Sequence, residues 1–186
     1  DGRQFAFTIV HDADSAYSER LAPLFGVFGE LGFHLTVSAF AFWASWARNG
    51  SIRSEWAGSP FSAPIAVPLC DPAERRFYQD LAARGHEVAL HSPSDTSSTP
   101  VEIADAFELF KDAFDHYPTV YTEHSSKSNK DAQANEGSDP ASPYFCRDVL
   151  LSYDPWIWVD GPGGRRAARA WAGTLPQRPI GCQLTS

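Results

Sequence analysis

Asp12 and Asp14 stand one residue apart at the end of an apolar run, Phe5-Ala-Phe-Thr-Ile-Val-His-Asp-Ala-Asp14. Residues two apart on a strand share a face, so both carboxylates can converge on one metal ion, or one can bind the metal while the other acts as a base. A structural alternative is a helix N-cap supplied by Asp12 or Asp14. Two further apolar runs end in histidine: His86-Glu-Val-Ala-Leu-His91, and Thr119-Val-Tyr-Thr122 followed by Glu123 and His124. Carboxylate and imidazole together form the mixed oxygen and nitrogen ligand set that zinc, cobalt, iron or nickel accepts. Asp95, four residues after His91, is a further oxygen candidate whose alternative is a turn or cap. His34, His86 and His116 read as hydrogen-bonded structural residues.

The elements that would carry these groups follow from periodicity and punctuation. Leu21, Leu24, Phe25, Phe28 and Leu31 recur at helical spacing over Tyr17 to Leu31, with Gly32 as the stop. Pro23 argues that the regular part starts near Ala22. Phe33 to Phe40 alternates as a second strand, and Ile65 to Leu69 is a short strand candidate. Asp71-Pro72-Ala73-Glu74 and Thr99-Pro100-Val101-Glu102 each offer an N-cap, a proline at the first helical position and a Glu three residues after the cap. The second of these helices carries Ile103, Phe107, Phe110 and Phe114 on one face. Ser125 to Pro143 has no aliphatic residue larger than Ala and reads as a long loop, of the kind that is either functional or disordered. Ser152 to Asp160 returns to strand-like residues, with Trp156 and Trp158 on one face. Strand and helix alternate, which predicts a parallel α/β sheet or barrel with the acidic and histidine residues at strand ends.

Composition bounds the function. With 186 residues, 43% hydrophobic, the chain can form one domain with a sizeable core. A net charge of −8 argues against a nucleic-acid partner, which would want a basic stripe, and no apolar run is long enough to span a membrane. Cys70, Cys146 and Cys182 are widely spaced, without a Cys-x-x-Cys pair, and read as reduced residues of a cytoplasmic protein. The chain opens without Met, so a processed or secreted form stays open. Residues 1–160 are expected to be the domain. From Gly161 the chain holds Arg165, Arg166, Arg169 and Arg178 and no acidic residue, which reads as a basic tail or a truncated, irregular end.

The arrangement resembles the polysaccharide deacetylase superfamily, the NodB-homology group, from Phe5 to about Asp160. Val10-His-Asp-Ala-Asp14 is similar to the Asp-x-Asp form of the first motif of that family. Gly85-His-Glu-Val-Ala-Leu-His91-Ser92 is similar to the second, and Pro118-Thr-Val-Tyr-Thr-Glu-His124-Ser and Tyr153-Asp-Pro-Trp156 fall where the third and fourth line the groove. The resemblance implies a distorted (β/α) barrel, complete or truncated, and metal-assisted removal of N-acetyl groups from a carbohydrate. It makes Asp12 the base, Asp14 and His91 metal ligands, and His124 or Asp95 the third ligand, around zinc first among divalent metals. Tyr17, Glu123, Asp154, Trp156 and Trp158 become substrate-binding candidates.

Two departures stand out. The second motif normally has another His four residues after the first, where this chain has Asp95, and a late His that protonates the leaving amine is missing, since no His follows His124. Two other classes fit parts of the pattern. A haloacid-dehalogenase-type phosphohydrolase would use Asp12 as nucleophile, Asp14 as general acid, Mg²⁺, and Lys127 or Lys130 at the phosphate. A non-catalytic carbohydrate-binding protein would keep the barrel without turnover.

Overall fold

A computed structural model of the chain describes residues 9–12, 18–42, 68–124, 129–132, 135–159 and 166–169. Strands β1 (Val10–His11), β2 (Thr36–Ala39), β3 (Glu87–His91), β4 (Val120–Thr122) and β5 (Trp156–Val159) lie side by side in chain order, all parallel. A sixth strand, β6 (Arg166–Arg169), adds antiparallel to β5. The sheet therefore continues past Asp160 into the stretch read from sequence as a tail or irregular end. The other residues from Gly161 onward lie outside those described.

Among the described residues four α-helices join the strands: α1 (Ser18–Glu30), α2 (Pro72–Ala83), α3 (Pro100–Phe114) and α4 (Arg147–Tyr153). Each packs on the next, α1 on α2, α2 on α3 and α3 on α4, so they form one layer in chain order. Local chemistry sets their ends. Asp71 caps α2 by accepting from Ala73 N at 2.8 Å and Glu74 N at 3.2 Å. Thr99 and Glu102 close a full capping box on α3. Glu74 does not close the equivalent box. It accepts instead from the backbone N and hydroxyl of Ser18, and so places an acidic group at the N-terminus of α1, where the helix dipole favours it.

Three expectations need correction. Helix α1 begins at Ser18 and runs through Pro23. Pro23 is exposed, on the solvent side, where water can reach the carbonyl that it leaves unpaired. Helix α4 was not anticipated, because its seven residues are too few to show a period. Leu69, placed in a short strand candidate, lies in a turn, and residues 65–67 of that candidate lie outside those described.

The register divides the sheet into two chemically distinct faces. Val37 pairs with Val88, and Ala39, Leu90, Tyr121 and Ile157 form one row across four strands. All six are buried in the core with Leu21 and Phe25 of α1, Leu81 of α2, and Ile103, Phe107 and Phe110 of α3. This is the helix-covered face. His11, in register with Val37, belongs to it and meets the Phe25 ring at 6.1 Å between centroids. The alternate residues, Thr36, Ser38, Ala89, His91 and Thr122, occupy the opposite face. Toward the strand starts this face is polar as well, where Glu87 accepts from the hydroxyls of Thr36 and Thr119.

Candidate active site at the strand ends

His91 is the last residue of β3, only 1% exposed, and its two ring nitrogens meet different partners. Nδ1 lies 3.0 Å from the Thr122 carbonyl oxygen on β4. A carbonyl can only accept, so Nδ1 is the nitrogen that donates, and Nε2 is the one turned toward the end of β1. Nε2 lies 3.0 Å from Asp12 Oδ1, just beyond the end of β1. A lone pair directed at a carboxylate is repulsive unless a proton or a cation lies between them.

The Phe40 ring fixes the imidazole from the side. It stacks on His91 with centroids 4.4 Å apart and an interplanar angle of 23°, and meets His124 edge-on at 5.4 Å. The His91 and His124 rings are themselves 5.4 Å apart. Phe40 follows β2 two residues after Ser38, so it shares the face of His91 and lies against the end of β3.

Ser92 links the two histidine strands. Its backbone N donates to Thr122 O at 2.9 Å, its hydroxyl donates to the same oxygen at 3.2 Å, and its Oγ accepts from His124 N at 2.9 Å. Ser92 adopts φ 42, a left-handed conformation unusual for a residue with a Cβ. The three bonds hold the chain in that turn and set His124 beside His91.

The sequence candidates separate as follows. Asp12, His91 and His124 come together at one end of the sheet. Asp14 and Tyr17 lie outside the described residues. Asp95 sits in the bend after β3, half-buried, with Oδ1 shielded from solvent. Glu123 is turned away from the groove: as the neighbour of Thr122 it faces the other way, is 4% exposed, and lies close enough to Cys146 to help raise its thiol. Burial is the larger cause of that rise, which takes the thiol to about 12. Asp154 is the left-handed C-cap of α4, before β5 begins, and belongs to the strand-start side. Trp156 is in register with Val120 and shares the face of the site one pleat repeat nearer the strand starts, 37% exposed. The backbone of Trp158 is level with Thr122 and so with His91.

Asp131 was not anticipated. It lies in the segment read as a loop, is 5% exposed, and its carboxyl is pushed up to about 6 by burial, opposed by the Ser98 backbone N–H and by nearby His124. Asn129, also buried, approaches His124 Nδ1 at 3.4 Å. No periodicity marks either residue, because they sit in irregular chain.

Among the described residues no group of three or more His, Cys, Asp or Glu side chains is arranged to hold a metal ion. The spacing of His91 and Asp12 suits either a cation shared by the two or a base standing beside a histidine ligand. Their 3.0 Å separation is near the edge of a tetrahedral zinc site, roughly 3.3 Å from ordinary bond lengths. The Nδ1 contact with Thr122 O is the outer-shell bond that orients a ligating histidine. No family model, curated protein or solved structure matches the chain.

Proposed function

We propose that the protein is a metal-dependent hydrolase that removes N-acetyl groups from a carbohydrate, built on an arc of a (β/α) barrel of the deacetylase type. The observation that carries this reading is the His91 ring, with Nδ1 held on the Thr122 carbonyl and Nε2 directed at the Asp12 carboxylate. Strand order supports the barrel. Doubly wound sheets reverse their order at a switch point and put the ligand there, whereas the described strands run strictly in sequence and the described helices pack one on the next in the same order. That order also weighs against the phosphohydrolase alternative, because the strand leading to Asp12 is an end strand of the described sheet.

In this reading Asp14, His91 and His124 would hold the metal, with Asp95 as the alternative third ligand. The ion supplies a polarised amide carbonyl and a more acidic water when bound. Asp12, 62% exposed at its side chain, is open to substrate and accepts the proton of the attacking water at a carboxylate oxygen. Phe40 excludes water from one face of His91 and holds its plane. The Thr122 carbonyl keeps the proton of His91 on Nδ1 throughout. The part-exposed Trp156 ring would offer a surface for a sugar ring to stack on, with Trp158 as the further candidate.

Metal content of the purified wild type and Asp14→Ala, measured with acetate release from a panel of acetylated sugars, tests the proposal. Stoichiometric zinc-like metal that Asp14→Ala loses, together with acetate release by the wild type, is the expected result. Metal-free protein that still hydrolyses a phosphate ester with Mg²⁺ would replace it with the phosphohydrolase.

A further inference from the structure

Helix α1 is apolar on two sides. Leu21, Phe25 and Phe28 face the core, as a single amphipathic stripe requires. Leu24, Val27 and Leu31 form a second stripe at the same helical spacing, and they are 40%, 53% and 64% exposed. Phe33, 41% exposed, extends it and packs edge-on against Phe28. Of the large exposed hydrophobic side chains among the described residues, most are on this one helix and its exit turn, the others being scattered as Val101, Leu151 and Trp156. Scattered residues need no partner, but a continuous stripe does.

We propose that α1 is the contact surface of a homodimer, in which two copies pack this helix antiparallel about a two-fold axis near its middle. The stripe is self-complementary in that arrangement. Leu24 of one copy meets Val27 of the other, twice, as an isologous contact demands. Charge matches in the same register. Exposed Arg20 lies at one end of the stripe and exposed Glu30 at the other, so the antiparallel pairing brings each Arg20 beside the Glu30 of the second copy. A parallel pairing would oppose like charges at both ends. An anionic membrane is a poorer occupant, because Glu19 and Glu30 border the stripe and the chain carries −8 overall. One helix pair is a small interface, so the dimer belongs to the weak, concentration-dependent class.

Sedimentation equilibrium over a concentration series tests this without any assumption about catalysis. Wild type should pass from monomer to dimer, and Val27→Asp should remain monomeric with unchanged helical circular dichroism and melting temperature. Arg20→Glu and Glu30→Arg should each weaken association about tenfold or more, by turning attraction into repulsion. An equimolar mixture of these two variants should associate like wild type, because each supplies the charge the other lacks. That rescue cannot arise from contacts within one chain. Wild type that stays monomeric throughout, whatever else its stripe binds, overturns the proposal, as does dimerisation of Val27→Asp. A mixture that associates no better than its components overturns the antiparallel arrangement.

Discussion

Asp12 Oδ1 and His91 Nε2 lie 3.0 Å apart although their strands are not neighbours: β2 runs between β1 and β3, and Phe40, just past its end, lies under the His91 ring. The contact therefore depends on all three strands ending at one level. It places Asp12 beside the His91 nitrogen opposite the one that donates to Thr122, which suits a base working next to a metal ligand.

Replacing Asp12 with Asn keeps the shape and one hydrogen-bonding oxygen but removes the basic carboxylate. If Asp12 is the base, metal content should stay close to wild type while turnover falls on the order of 10²–10⁴-fold. Elemental analysis beside steady-state acetate release checks both halves. Loss of metal in the Asn variant would make Asp12 a ligand.

His124 and Asp95 compete for the third ligand position. The His124 ring is 5.4 Å from that of His91 and its backbone is tied to Ser92, whereas Asp95 sits in a bend that a side-chain oxygen can stabilise alone. Calorimetric zinc titration of the two alanine variants should show the larger loss of affinity, on the order of 10-fold or more, for His124→Ala. The reverse order would assign Asp95.

Phe40 is fully buried and touches both histidine rings. Phe40→Leu keeps most of the apolar volume and deletes the stacking, so the expected loss of stability is about 1 kcal/mol in urea unfolding. The same change frees the His91 ring to tilt, and weaker zinc binding should accompany the stability loss. Phe40→Ala should cost more, about 3–5 kcal/mol, by opening a cavity.

Much of the frame was legible because its signals are local. The caps at Asp71 and Thr99 precede α2 and α3, the Ile103, Phe107 and Phe110 face is buried, and β3 ends at His91. What escaped depends on register between strands. Phe40 looks like an ordinary core aromatic until Ala39 is known to pair with Leu90, which sets Phe40 beside His91. Glu123 and His124 look equivalent in sequence, yet alternation sends one toward Cys146 and the other toward His91. Asp154 and Trp156 share one short motif whose depth along the sheet the sequence does not give. The register of Trp156 with Val120 puts them nearer the strand starts.

Asp131 gives the chain a pH dependence that can be tested apart from any activity. Burial raises its carboxyl from 3.8 to about 6, and its Oδ1 accepts no hydrogen bond among the described residues. Because the folded pKa lies above the unfolded one, the folded state binds more protons between these values, and stability falls as pH rises through the window. Below the unfolded value the group costs nothing. Above the folded value the full cost is present, up to about 3 kcal/mol from the size of the shift. Asp131→Asn removes the charge and leaves an oxygen able to accept from the Ser98 backbone. Urea unfolding in the presence of a chelator should therefore find the two proteins equally stable at about pH 4 and the variant more stable at about pH 8. A difference that is the same at both pH values would mean that burial does not raise the Asp131 carboxyl in the folded protein.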